Sequence, residues 1–316
     1  MYKNKKVLLI GGAGTLGTYV ARELLEQGAY VDVICLEDIS SDNERLTYVK
    51  GYATLDFLTE IFKTKRYDGI VNFIHYKEVE DYVPIHRILI KNTDHLIFLS
   101  SYRVYADKQH PITEDAPRLL DVTNDKEFLE VEKYAVSKAR CENYLFQKCK
   151  GQPWTVVRPL ISFSALRFDL FVYSGDDIWR LPKNHRLLLP IFARELTAGI
   201  DWAGNSGKLI ANLLFKKETI GQAYTISSGQ NLTWGEVADI YSRALGIDIE
   251  WCDEERFVRS YPCVEGSKKW LFIYDRKFNR IIDNSKVLAA TGLNPSDFTS
   301  IEEGLRIELR RKDMQK

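Results

Sequence analysis

The chain has 316 residues, 45% of them hydrophobic, and its 44 Lys and Arg balance 44 Asp and Glu to a formal net charge of zero. That length suits one large α/β unit with an appended lobe, or two domains, and the balanced charge points to no nucleic-acid and no membrane partner. The five cysteines, Cys35, Cys141, Cys149, Cys252 and Cys263, form no Cys-x-x-Cys pair, so they indicate neither a disulfide framework nor a zinc site and fit a reducing, cytoplasmic setting.

Residues Met1 to Lys6 run into a strand without a signal-peptide core, and no apolar run approaches the ~18 residues of a membrane span, so a soluble, unprocessed protein is expected. The apolar run Val7 to Ile10 reads as a strand buried on both faces of a parallel sheet. Gly11-Gly12-Ala13-Gly14-Thr15-Leu16-Gly17 follows at once and opens a helical pattern from Thr18 to Gln27. Glycines in this register let the backbone approach a pyrophosphate that rests on the helix N-terminus. Gly11, Gly12, Gly14, Thr15, Leu16 and Gly17 are therefore candidate cofactor-binding residues.

Tyr30 to Leu36 reads as the second strand. A dinucleotide site places an acid about 20 positions past the glycines, to accept the ribose hydroxyls. Cys35 aligns with that place, while Glu37 and Asp38 lie close by and Glu37 is the candidate acid. No arginine follows until Arg45, which favours NAD and leaves NADP open.

Leu55 to Lys63 suggests a helix, and Tyr67 to Ile74 a turn and a buried strand that delivers Ile74 and His75 to its carboxyl end. Glu78 to Asn92 reads as a helix interrupted near Pro84. His95 to Leu99 is the next strand and brings Ser100 and Ser101 to the same edge. The charged stretch from Thr113 to Glu132 reads as a solvated loop. Tyr134 and Lys138 then stand four apart in a helical pattern from Glu132 to Lys148, so phenol and ammonium share a face. A phenol of ordinary pKa ~10 is a poor base at neutral pH, and a nearby cation favours its phenolate.

Trp154 to Val157, with Arg158-Pro159 at its exit, is a further strand. Ser162 to Arg194 shows no clear period, and Ala223 to Ser227 returns as a strand before a helix from Thr233 to Leu245. The repeated βα order predicts an α/β fold, a Rossmann-type doubly wound parallel sheet with a smaller, mixed C-terminal lobe. Residues 1–160 are expected to form the dinucleotide-binding part, also receiving 195–228, with 161–316 as a partly interleaved substrate lobe.

With the glycine loop, Ser100-Ser101-Tyr102-Arg103-Val104-Tyr105 and Tyr134/Lys138 in place, the chain resembles the short-chain dehydrogenase/reductase superfamily, in the extended or atypical branch of NAD-dependent nucleotide-sugar epimerases and dehydratases. Pro111 to Asp115, Val157-Arg158-Pro159, Thr233-Trp234, Asp283 to Lys286 and Glu303-Gly304 match that branch too. The resemblance implies that Tyr134 is the catalytic acid/base and that Ser101 hydrogen-bonds the reacting oxygen. It also implies that Lys138 binds the nicotinamide ribose and depresses the tyrosine pKa, with a nucleotide sugar as substrate and a homodimer among the assemblies open to the chain.

The departures are equally specific. Dehydratases carry Asp-Glu where Tyr102 and Arg103 stand, which argues against elimination. Gly51-Tyr52 replaces the usual Gly-Asp, and Trp202 to Asn205 replaces a stretch that usually carries His and Asp. Arg180, Lys183, Arg194, Arg256, Arg259 and Arg276 are candidates for the substrate phosphates. The leading expectation is an epimerase or an NADPH-dependent ketoreductase of a nucleotide sugar. From another class comes a dinucleotide-binding sensor or scaffold with weak catalysis. The C-terminal third also resembles chloroplast stem-loop RNA-binding relatives, but the zero charge and lack of a basic stripe argue against RNA.

Overall fold

Strand β1 (Lys6–Ile10) is the centre of the molecule, and its sequence shows why: Val7, Leu8, Leu9 and Ile10 are all fully buried. Successive side chains of a strand point to opposite faces. Val7 and Leu9 accordingly enter one core and Leu8 and Ile10 the other. The computed structural model describes residues 2–179 and 186–314.

Beside β1 lie β2 (Tyr30–Cys35) and β3 (Leu46–Lys50) on one side, and β4 (Tyr67–Asn72), β5 (Thr93–Leu99) and β6 (Trp154–Pro159) on the other. A seventh strand, Ala223–Ile226, pairs with β6, giving the order Ala223–Ile226, β6, β5, β4, β1, β2, β3, with every pair parallel. The order reverses between β1 and β4, and in such sheets the crevice at the carboxyl ends of the strands at that point takes the ligand.

Helix α1 (Thr15–Glu26) and the helix Ala203–Leu213 cover one face, through Val20, Ala21, Leu24, Leu209, Ile210 and Leu213. They cross closely because Gly207 lacks a side chain: a Cβ there would lie 2.5 Å from the Tyr19 Cβ. On the other face α2 (Leu55–Phe62), α3 (Val79–Lys91) and the helix Ala135–Lys148 bury Leu58, Tyr82, Leu89, Cys141 and Leu145. Helix α3 runs unbroken through Pro84, whose missing N–H and ring crowding are offset by burial of Tyr82, Ile85 and Leu89.

The remaining chain forms a second core around Phe163, Phe171, Trp234, Phe257 and Phe272. Phe171 organises it, its ring centre lying 5.3 Å from Trp234 and 5.8 Å from Phe257. Short parallel pairs, Arg186–Pro190 with Asp248–Cys252 and Ile161–Phe163 with Ile200–Trp202, tie this lobe together and to the sheet edge.

The expected solvated loop from Thr113 to Glu132 is instead structured. It holds two short helices, Leu119–Val122 and Lys126–Val131, and Phe128 and Glu132 are buried. Arg118 donates to Glu142 at 3.0 Å, and Glu142 also holds Arg158 through two bonds of 2.8 Å. Arg118 is thus drawn into a buried ion network, while Asp115, Asp121, Lys126, Glu127 and Glu130 face solvent as expected. Among the described residues no helix is long and apolar enough to cross a membrane.

Candidate active site

The turn after β1 is shaped by absent side chains. Gly11 has φ +72°, a left-handed conformation that favours glycine, and a Cβ on Gly17 would fall 2.3 Å from the Gly12 carbonyl oxygen. Gly14 differs: a Cβ there would meet nothing within 4 Å, so its backbone faces open space. Helix α1 begins at Thr15, earlier than the sequence pattern suggested, with no acidic residue in its first turn and no side chain capping it. Its N-terminal partial charge is left for an anion.

A cavity of about 320 Å³ runs from this turn past Ile34, Cys35, Leu36, Glu37, Tyr52 and Ile74. The Cys35 thiol is buried and donates to the Glu37 carbonyl at 3.5 Å; burial, then the Glu37 charge, pushes its pKa up. Glu37 supplies the only carboxylate in this lining, anchored by the Leu36 N–H at 3.1 Å. Asp38 turns away to Lys50, and no arginine lines the cavity.

A second cavity, of about 560 Å³, joins Gly11, Gly14, Thr15, Leu16 and Gly17 to Ser101, Tyr134 and the second lobe. Tyr134 is the residue before the helix Ala135–Lys148 rather than a member of it. Glu132 sets that boundary, its Oε2 accepting the N–H groups of Tyr134 and Val136, each at 3.0 Å. The expected helix start at Glu132 is therefore corrected by three residues, because the glutamate caps the helix from outside. The fourfold spacing survives in the bond from Lys138 N–H to the Tyr134 carbonyl at 3.0 Å.

Lys138 is fully buried beneath this cavity, donating to the carbonyls of Ile74, at 3.2 Å, and Leu99, and lying 5.0 Å from the Phe98 ring centre. Burial lowers its pKa to about 8. Ser101 Oγ accepts the Arg103 N–H at 3.2 Å, which leaves its own proton free for a ligand. Ser100 is buried and lines neither cavity; its hydroxyl lies by Glu142 and helps hold that carboxyl below its ordinary value.

His75 lines neither cavity. Its Nε2 is 2.8 Å from Ser137 Oγ and its ring meets that of Tyr134 edge-on at 5.1 Å, so it props the tyrosine from behind. Burial, then the Lys138 charge, lowers its pKa below the ordinary imidazole value.

Of the four cations considered for phosphates that lie among the described residues, only Arg276 lines the larger cavity. It is buried, donating to the Phe171 carbonyl at 2.6 Å and paired with Asp275. Asp275 also takes the Tyr102 hydroxyl at 2.7 Å and Arg280 at 2.9 Å. Burial pushes the Asp275 carboxyl up, but Arg276 and Arg280 outweigh it and hold it below its ordinary value. Arg194 faces Trp251, Arg256 pairs with Glu250 and Arg259 with Glu255. Arg180 and Lys183 lie outside the described residues. Three lining cations escaped sequence reasoning as ligands: Arg103, Arg167 and Lys268. For Arg103 the signal was present, in a basic residue next to the serine motif.

The sequence profile of the NAD dependent epimerase/dehydratase family matches residues 7–174, more than half of the chain. The chain belongs to this family. UDP-glucose 4-epimerase 3 of Oryza sativa subsp. japonica is 25% identical over 295 residues, 78% of each chain. Among solved structures, epimerase Mth375 of Methanothermobacter thermautotrophicus aligns over 98% of this chain and 92% of its own, with a TM-score of 0.71 at 18% identity. Bordetella bronchiseptica WbmH in complex with NAD+ aligns over 97% of both chains, with a TM-score of 0.69 at 18% identity. These likenesses agree with the Rossmann-type sheet and second lobe described above. For a member of an NAD-dependent family, the open face of Gly14, the uncapped start of α1 and the carboxylate of Glu37 fit the cofactor.

Proposed function

We propose that this chain is an NAD-dependent epimerase of a nucleotide sugar in which Tyr134 exchanges a proton with the substrate hydroxyl. One observation carries the reading: Ser101 and Tyr134 line the same cavity as the glycine turn, so a proton-handling pair and a dinucleotide site share one space. NAD, when bound, supplies the acceptor for a hydride leaving the carbinol carbon and the donor for its return.

The chain's own residues handle the oxygen. Tyr134 takes the hydroxyl proton as the carbonyl forms and gives it back when the carbinol is restored; Ser101, its lone pair engaged by Arg103 N–H, donates its proton to the same oxygen. Lys138, with a pKa of about 8, is mostly protonated at neutral pH and keeps positive charge below the site. Glu37 fits ribose hydroxyls and opposes a 2′-phosphate, which supports NAD over NADP. Elimination is disfavoured, because Tyr102 is tied to Asp275 and Arg103 carries a positive charge where an acid would be needed.

The test is to denature freshly purified protein and quantify the nicotinamide nucleotide released. Near-stoichiometric NAD is expected, since an epimerase restores its own cofactor; an empty protein that then binds NADPH would favour a ketoreductase, and one that binds neither a scaffold. Tyr134→Phe should retain NAD and lose turnover by orders of magnitude, and full activity in that variant would sink the mechanism.

A further inference from the structure

The larger cavity is lined by four cationic side chains, Arg103, Arg167, Lys268 and Arg276, and by one carboxylate, Asp169. Three of these cations are already provided for. Arg167 is paired with Asp169, and Arg276 with Asp275. Lys268 donates to the Val172 carbonyl at 2.6 Å and the Tyr261 hydroxyl at 2.7 Å, with Asp177 at 3.4 Å.

Arg103 is the least fully met of the four, although it too pairs with a carboxylate, that of Glu132. Its Nη2 reaches Glu132 Oε1 at 3.5 Å, at the limit of a hydrogen bond, and its buried Nε has no partner. Glu132 is itself committed through Oε2 to the N–H groups of Tyr134 and Val136. A guanidinium offers five donors in a planar fork, and leaving one buried and unmet is costly. The fork is also held in place. Tyr102, its neighbour in the turn Tyr102–Val104, is fixed to Asp275, and the Arg103 Cζ lies 5.1 Å from the Tyr134 ring centre.

We propose that Arg103 determines specificity by receiving a carboxylate on the sugar, next to the carbon at which Tyr134 acts; the substrate class is a nucleotide-linked uronic acid. This rests on the reading of Tyr134 given above. A guanidinium beside the proton-handling phenol matches a planar anion bidentately, and no neutral hydroxymethyl group uses that geometry as fully.

The experiment measures calorimetric affinities of the NAD-saturated Tyr134→Phe protein, which cannot turn over, for UDP-glucuronate, UDP-glucose and UDP. The same three ligands are compared after adding Arg103→Ala or Arg103→Lys. UDP-glucuronate should bind about 10- to 100-fold more tightly than UDP-glucose. Arg103→Ala should erase that preference while leaving UDP-glucose and UDP unchanged, and Arg103→Lys should keep part of it. Equal loss for all three ligands would assign Arg103 to the diphosphate, and absence of any preference would leave it without a carboxylate; either overturns the proposal. If Arg103→Ala does not fold, Arg103→Gln makes the same comparison with similar reach and no charge. Turnover of both sugars by the unmodified protein tests the epimerase reading separately: preference without turnover defeats that reading alone, and turnover without preference defeats this proposal alone.

Discussion

Glu132 Oε2 accepts the backbone N–H of Tyr134 at 3.0 Å and so fixes where the helix carrying Lys138 begins. Glu132→Ala would leave two N–H groups of that turn unmet in a buried place. A loss of about 1–3 kcal/mol is expected in urea unfolding, with a larger proportional fall in kcat than in NAD affinity. Glu132→Gln, which keeps an acceptor oxygen, should recover most of both. Unchanged stability in the alanine variant would show that the cap carries no weight.

Gly14 and Gly17 should separate binding from folding. Alanine at Gly14 meets no protein atom within 4 Å, so Gly14→Ala should unfold at the wild-type temperature yet bind NAD roughly tenfold or more weakly, its methyl group occupying the pyrophosphate approach. Gly17→Ala, forced to 2.3 Å from the Gly12 carbonyl oxygen, should lower the melting temperature directly. The reverse pattern would remove the glycine turn from the cofactor site.

Lys138 gives stability a pH dependence of known sign. Its pKa is about 8 in the folded protein against an ordinary 10.5, so between those values the unfolded chain binds more protons and the folding free energy grows with pH. Below pH 8 both states are protonated and the penalty of the buried charge is fully present. In protein stripped of nucleotide, the stability of wild type relative to Lys138→Met should rise on the order of 2 kcal/mol from pH 7.5 to 9.5, as read by urea titration. A flat or falling difference would contradict a buried, charged lysine.

Glu37 sets the cofactor preference. Glu37→Gln removes the charge that opposes a 2′-phosphate and weakens acceptance of ribose hydroxyls. NAD affinity should fall roughly tenfold while NADP affinity holds or improves, measured by fluorescence titration of the reduced forms. Parallel losses for both would place the 2′ position elsewhere.

What the sequence made legible follows from locality. The strand Val7 to Ile10, the glycine turn and the Ser101, Tyr134 and Lys138 set are short patterns whose meaning is carried by neighbours, and the structure puts Ser101, Tyr134 and the glycines around one cavity. What holds Tyr102 and Arg276 was harder to read, because their partners lie far along the chain. Tyr102 finds Asp275 and Arg276 finds the Phe171 carbonyl only after the second lobe closes. The stretch from Ser162 to Arg194 showed no period because the ring contacts of Phe171, with Trp234, Phe257 and Phe272 far along the chain, are what anchor it. The loop expected from Thr113 to Glu132 differed for a related reason: Arg118 and Glu132 find their charged partners, Glu142 and Arg103, outside the stretch, which its composition does not reveal.

The late return of Ala223–Ile226 to pair with β6 governs how the protein can be cut. Every residue of Trp154–Pro159 is buried, so a fragment ending at residue 160 would present a bare, unpaired strand edge to other copies of itself. Such a fragment should be recovered as aggregate, whereas the whole chain stays dispersed at the same concentration by light scattering. Synthesis on the ribosome meets the same exposure: β6 stays uncovered until more than sixty further residues have emerged, and during that interval the nascent chain is open to association.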